Sequence, residues 1–189
     1  MEQKPAVMTT LKESTMDLHK EIEQHMPVFR KDFDKNKYQE LLKKMHSFYK
    51  PFENSIQTSL ETQGQGEFYK ERYKTPQIEA DLKSLNTEPM SFAQPEMPTM
   101  NSLAAVAGAL YVIEGSSLGG QIICKYLKEN LALAPEQIHF FQGYGPLTGK
   151  RWQEFQKWVG TLDFNEEETK VAVASARDTF KSMMNCLKN

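Results

Sequence analysis

The 189-residue chain has only two cysteines, Cys124 and Cys186, and they share no CxxC or CxxCH spacing. That argues against a zinc site and against covalent attachment of a c-type heme, and leaves two buried, reduced thiols as the expectation. A surplus of charge of either sign is also missing: the net charge of -2 gives no reason to expect nucleic acid or an anionic membrane as a partner. No apolar run approaches the roughly 18 residues that a membrane span needs. The opening MEQKPAVMTTLKEST lacks the apolar stretch of a signal peptide, so a cytoplasmic protein is expected. Period-2 alternation and internal repeats are missing as well. What remains is helical periodicity nearly throughout, in a chain long enough to bury a real core. The sequence predicts an all-α single domain over 1–189.

The spacing predicts a helix from Met8 to Met26 that stops before Pro27, and a second from about Asn36 to Leu60, with Pro51 as a candidate kink. A weaker helix over Glu67 to Leu85 is interrupted near Pro76. Residues 86–99 hold three prolines and read as a long surface loop. The most apolar helix runs from Asn101 to about Asn130, interrupted by glycines. After the turn-rich PEQIHFFQGYG, helices over Thr148–Leu162 and Asn165–Leu187 complete the chain. Asn165 followed by Glu166, Glu167 and Glu168 is a good N-terminal cap.

Two helices carry candidate chemistry. On the first, Met8, Leu11, Thr15, Leu18, Ile22 and Met26 make one apolar face, and His19 lies on its edge. Lys12 and Glu23 stand seven residues before and four after His19, so the three side chains line one ridge. This suits a ligand histidine with Nε2 turned inward, Nδ1–H held by Glu23, and Lys12 at a pocket mouth. Taken alone, His19 is as readily a half-buried structural residue. On the second, GALYVIEGSSLGGQ, Gly115, Gly119 and Gly120 each cost a helix about 1 kcal/mol relative to alanine. A face stripped of side chains admits either a crossing helix or a flat ligand against the backbone. Ser116, Ser117 and Gln121 beside the glycines favour the ligand, and Ala104, Ala105, Ala107 and Ala109 already supply small residues for helix packing.

Together these stretches resemble the heme oxygenases. LKESTMDLHKEIE is similar to that family's proximal-helix motif, and YVIEGSSLGGQ to its distal glycine motif. The form of the latter, with FFQGYGPLTGKRW, is similar to the bacterial members associated with bacteriophytochromes. The resemblance implies a heme-oxygenase-like fold with heme between the first helix and a glycine-kinked distal helix. It implies His19 as the iron ligand, Glu23 as its partner and Lys12 at a propionate. Gly115, Gly119 and Gly120 would give close approach to the porphyrin, and Gly115, Gly119 and Ser116 would form the catalytic side. Heme is then both cofactor and substrate, O2 the co-substrate, and biliverdin, CO and iron the products. A neutral imidazole favours O2 binding without a thiolate's push towards O–O cleavage. Electrons would come from a separate ferredoxin or flavin reductase, since the chain carries no flavin or nicotinamide fingerprint. A monomer suffices.

The chain departs from the family's pattern in places. Ser116 stands where the animal enzymes carry an aspartate that organises distal water. The propionate-binding tyrosine of some relatives falls on Leu110, with Tyr111 about 100° around the helix. Arg151 and Lys157, with Lys150, are then the candidates for the second propionate, and Phe180 is a candidate wall of the pocket. The alternative within the same resemblance is a protein that stores or delivers heme without degrading it. A di-iron relative would need Glu-x-x-His pairs, and a thiamin-degrading one a nucleophilic cysteine in the pocket.

Overall fold

The computed structural model describes residues 6–90, 92 and 96–188, which form seven α-helices linked by 3-10 turns, with no strand among the described residues. Helix α1 (Ala6–His25) buries Met8, Leu11, Thr15, Leu18 and Ile22, the predicted face, and ends ahead of Pro27. Helix α2 (Lys35–Thr62) starts at Asp34, whose carboxylate accepts from the Lys37 backbone N–H at 2.9 Å. Pro51 sits within it without ending it. The predicted third helix resolves into a 3-10 turn at Gly66–Tyr69 and helix α3 (Thr75–Ser84). Pro76 falls in the first turn of α3, where its missing N–H would have had no partner anyway. The expected loop over 86–99 has no helix at its described residues; Ser91 and residues 93–95 lie outside them.

Helix α4 (Leu103–Leu131) is capped by Ser102, which accepts from the Ala105 N–H at 3.2 Å. It runs unbroken through Gly115, Gly119 and Gly120, where the sequence predicts an interruption. Burial of its flanking apolar residues outweighs the propensity lost at the glycines. By length and composition α4 could cross a bilayer, contrary to the expectation from apolar runs, but 61% of that window is buried within this fold. Helices α5 (His139–Gln142), α6 (Thr148–Thr161) and α7 (Glu166–Lys188) follow. At the start of α7, Glu168 N–H donates to the Asn165 side chain and Asn165 N–H to the Glu168 carboxylate, each at 2.9 Å.

α7 is the spine against which both α1 and α4 pack. The α4–α7 crossing is tight because small residues meet there: Ala105 and Gly108 on one side, Ala172 and Ala176 on the other. A Cβ at Gly108 would collide with the Ala172 carbonyl oxygen. Ser175 then reaches across to donate to the Ala105 carbonyl at 2.7 Å. This leaves α1 and α4 sharing one support, with their facing edges available.

Candidate active site

Two contacts pin α1 and the turn after it to α4. The Tyr111 hydroxyl reaches Thr15, and Phe29 packs edge-on against Tyr126 with ring centroids 5.3 Å apart. Between those pins lie His19 and Glu23 on one side and Gly115, Gly119 and Ile122 on the other. His19 Nδ1 is 3.4 Å from the Glu23 carboxylate, and its side chain is 59% exposed. Its ring meets Phe180 of α7 edge-on at 6.1 Å, so Phe180 does stand at this site. His19 Nε2 has no hydrogen-bond partner among the described residues. Lys12, exposed and unpaired among them, lies two turns earlier on the same ridge.

The four glycines of α4 divide into two pairs. At Gly119 an added Cβ would meet nothing within 4 Å, and at Gly115 it would only touch the Trp152 ring at 3.7 Å. At Gly120 it would come 2.7 Å from the Phe141 carbonyl oxygen, and Gly108 is closed in the same way by α7. So no helix crosses the Gly115–Gly119 face. Beside it Leu118 is 45% and Ile122 68% exposed. A long apolar strip around two open glycines is not the surface of a finished helix packing. Gly120 is buried under α5, and packing there accounts for its missing side chain.

Arg151 and Lys157 stand elsewhere. Both line a separate groove with Glu67, Phe68, Glu71 and Trp158, away from His19. Arg151 is engaged there by Glu71 at 2.6 Å and Glu154 at 3.2 Å. On α6 it is Trp152 that turns towards Gly115, and Arg151 and Lys157 lie at least 100° around the helix from it.

Behind α4 lies a buried polar cluster that the sequence did not reveal. Glu114, 1% exposed, accepts from Arg72 at 2.8 Å and from the Tyr144 hydroxyl at 2.9 Å. Arg72 also reaches the Arg151 carbonyl and Glu154, each at 3.3 Å, and stacks over Phe68 at 4.4 Å. Glu53 accepts from the Thr75 hydroxyl at 2.6 Å, the Thr75 N–H at 3.1 Å, the Lys74 N–H and the Tyr69 hydroxyl. Burial raises its carboxyl pKa against those hydrogen bonds. A cavity of about 70 Å³ lies beside this cluster, lined mainly by Met26, Met45, Ile123, Phe140, Phe141 and Met183, with Tyr49, Lys74, Ser116 and Ser117 as its polar members and Gly120 at its wall. The Tyr49 hydroxyl reaches Ser116, whose own hydroxyl donates to the Ile113 carbonyl at 2.7 Å. Neither cysteine lines the cavity. Cys186 donates its S–H to the Lys44 carbonyl, and burial pushes its thiol pKa up to about 11.

A histidine held by an acid, facing an unfilled glycine surface on a neighbouring helix, is a site for a flat, metal-bearing ligand. Comparison with known proteins agrees. The sequence pattern of the heme oxygenase family matches residues 6–189. The chain belongs to the heme oxygenase family. A heme oxygenase of Xanthomonas campestris pv. campestris (strain 8004) is 30% identical over 155 residues, 82% of this chain and 90% of that one. Among solved structures, the NO- and CO-bound heme oxygenase from Neisseria meningitidis has a TM-score of 0.76 at 21% identity, covering 96% of this chain and 90% of its own. Heme oxygenase 2 from Chlamydomonas reinhardtii, solved without heme, has a TM-score of 0.75 at 13% identity, covering 96% of both chains. At these identities the two structures establish the fold. Within the family frame, Lys12, His19, Glu23, Gly115, Ser116 and Gly119 are brought to one gap. Gly120 lines the small cavity with Ser116, and Arg151 and Lys157 line a separate groove.

Proposed function

We propose that this heme oxygenase cleaves heme oxidatively to biliverdin, CO and iron, consuming O2 and electrons from a separate reductase. The observation that carries the reading is the pairing of a free His19 Nε2 with a glycine face that is open at Gly119 and met at Gly115 only by the edge of the Trp152 ring. The 70 Å³ cavity is far below the 300–1,000 Å³ typical of ligand pockets. The macrocycle therefore belongs in the gap between α1 and the Gly115–Gly119 face, with the small cavity behind it. Bound heme supplies the iron at which O2 is reduced and the carbon framework that is oxidised.

The chain's own residues do the rest. Glu23 takes the Nδ1–H of His19, which fixes the tautomer that leaves Nε2 as an acceptor and raises its basicity. Lys12 and the Tyr111 hydroxyl stand on the same side of the gap and meet the carboxylates of the substrate. Gly115 and Gly119 let the α4 backbone lie against the porphyrin face, so that attack is confined sideways, towards the macrocycle edge. Leu118 and Ile122, exposed in the free protein, cover the apolar surface and exclude bulk water. Ser116 and Tyr49 hold water on the side where oxygen is activated.

The proposal extends to a cytoplasmic monomer of the bacteriophytochrome-associated subgroup, the last resting on FFQGYGPLTGKRW. The test is an optical titration with hemin, then ascorbate or a ferredoxin-type reductase in air. The Soret band should decay while a broad red biliverdin band grows, and His19→Ala should abolish both the complex and the product. A stable complex that survives reduction in air would overturn the reading.

A further inference from the structure

Lys74, at the start of α3, is 2% exposed, and its Nζ has no hydrogen-bond partner among the described residues. A buried, unpaired ammonium is among the most costly groups a protein can carry. Two carboxylates are close at hand, yet both are committed elsewhere: Glu53 to Thr75, Tyr69 and the Lys74 backbone, and Glu114 to Arg72 and Tyr144. What holds the ammonium is the Tyr144 ring, 3.3 Å from Nζ. The Lys74 side chain lines the 70 Å³ cavity that Ser116 and Tyr49 also line, and that volume has room for a few waters.

We propose that Lys74 is the proton source of the distal cavity, donating from Nζ through cavity water to oxygen being reduced in the gap, in the role that the neutral Ser116 does not fill. The inference rests on the oxygenase reading above. Two-electron reduction of O2 takes up two protons; the electrons come from the reductase, one proton comes from Lys74 and the other from solvent. An N–H bond at Nζ breaks, an O–H bond forms on the cavity water, that water passes its own proton to the reduced oxygen, and solvent recharges the amine. The surroundings tune the group for this. Burial pushes the Lys74 pKa down to about 8; Glu114 and Glu53 oppose the shift, and Arg72 and Arg151 add to it. Tyr49, Tyr69 and Tyr144, which also face the cluster, are all pushed upward by burial and stay protonated through this range. An acid that titrates near the working pH is well matched to proton transfer.

The experiment compares wild type, Lys74→Met and Lys74→Gln as hemin complexes, with far-UV circular dichroism and the Soret band verifying fold and His19 ligation. With O2 and a reductant, the variants should form biliverdin about 100-fold more slowly, the low end for loss of a general acid. Wild-type turnover should fall as pH rises through about 8, where the amine loses its proton, and the variants should lack that limb. Hydrogen peroxide brings its own protons, so with peroxide in place of O2 and reductant the first oxidation step, read as loss of the Soret band, should show a deficit of only a few-fold. Equal slowing with both oxidants, or unchanged turnover in either variant, overturns the proposal. Should neither variant fold, a wild-type profile that stays flat from pH 7 to 9.5 overturns it. Absence of biliverdin from the wild type itself would instead overturn the oxygenase reading.

Discussion

Adjacent glycines on one helix should respond to the same substitution with opposite signs. Gly119→Ala places a methyl where nothing lies within 4 Å, so the free protein gains helix propensity and gives up no packing. The gain is about 1 kcal/mol, which for a chain of this size raises Tm by about 2–4 °C. Gly120→Ala places its methyl 2.7 Å from the Phe141 carbonyl oxygen, a backbone atom that cannot rotate away. Overpacking of that kind costs about 1–3 kcal/mol. Since α5 must shift bodily, the upper end applies, and about 2 kcal/mol of loss remains after the propensity gain. Tm should then fall by about 4–8 °C. Hemin reverses the order of the first variant. The Gly119 methyl stands in the gap proposed for the porphyrin, so the same overpacking term weakens binding by about 5- to 150-fold. Thermal unfolding of the free proteins and hemin titration of each read the two effects separately. If Gly119→Ala were destabilised like Gly120→Ala, or if it were stabilised and still bound hemin as tightly as wild type, the division of the glycines would be wrong.

Two further outcomes follow from the buried groups. Glu114→Ala leaves Arg72 without its buried partner and should cost about 3–5 kcal/mol in urea unfolding; a loss under about 1 kcal/mol would mean that Glu154 alone suffices for Arg72. Cys186, with its pKa near 11, stays a thiol at pH 8 and should react with a disulfide reagent only as the protein unfolds; labelling of the native protein at the rate of the denatured chain would contradict that burial.

The local features of this site were legible in the sequence because they are local. The His19–Glu23 spacing and the apolar stripe of α1 are properties of one helix, and every long element lies within a few residues of its predicted bounds. What a glycine faces is not local. Gly119 and Gly120 are chain neighbours, and only the position of α5, set by Asp81 accepting from the His139 and Phe140 N–H groups, decides that one is open and the other covered. The surroundings of the basic residues of α6 were hidden for the same reason: a lysine or arginine reads as solvated wherever it falls, and acid partners such as Glu71 come from elsewhere in the chain. Arg72 and Glu114 are 42 residues apart, and Tyr144 and Glu114 are 30 apart. Lys74 carried no signal at all. Glu114, inside YVIEGSSLGGQ, and Tyr144, inside FFQGYGPLTGKRW, did stand in motifs, but neither motif pointed to their pairing.

The position of that cluster bears on how α4 tolerates its own sequence. Three glycines within six positions weaken the helix where the substrate is proposed to lie, and on the Gly115–Gly119 side only the Trp152 ring, beside Gly115, offers a neighbour in the free protein. Glu114, the residue just before Gly115, is on the opposite side from the gap, tied to Arg72 and Tyr144. Seven residues later, Gln121 donates to the Gln142 carbonyl at 3.1 Å, and Gly120 is clamped under Phe141. The weak segment is therefore held at both ends from behind, by bonds that leave its front bare. A glycine surface free to fray would not present a fixed backbone to a ligand. Anchoring from the rear lets the same helix be open on one face and rigid on the other.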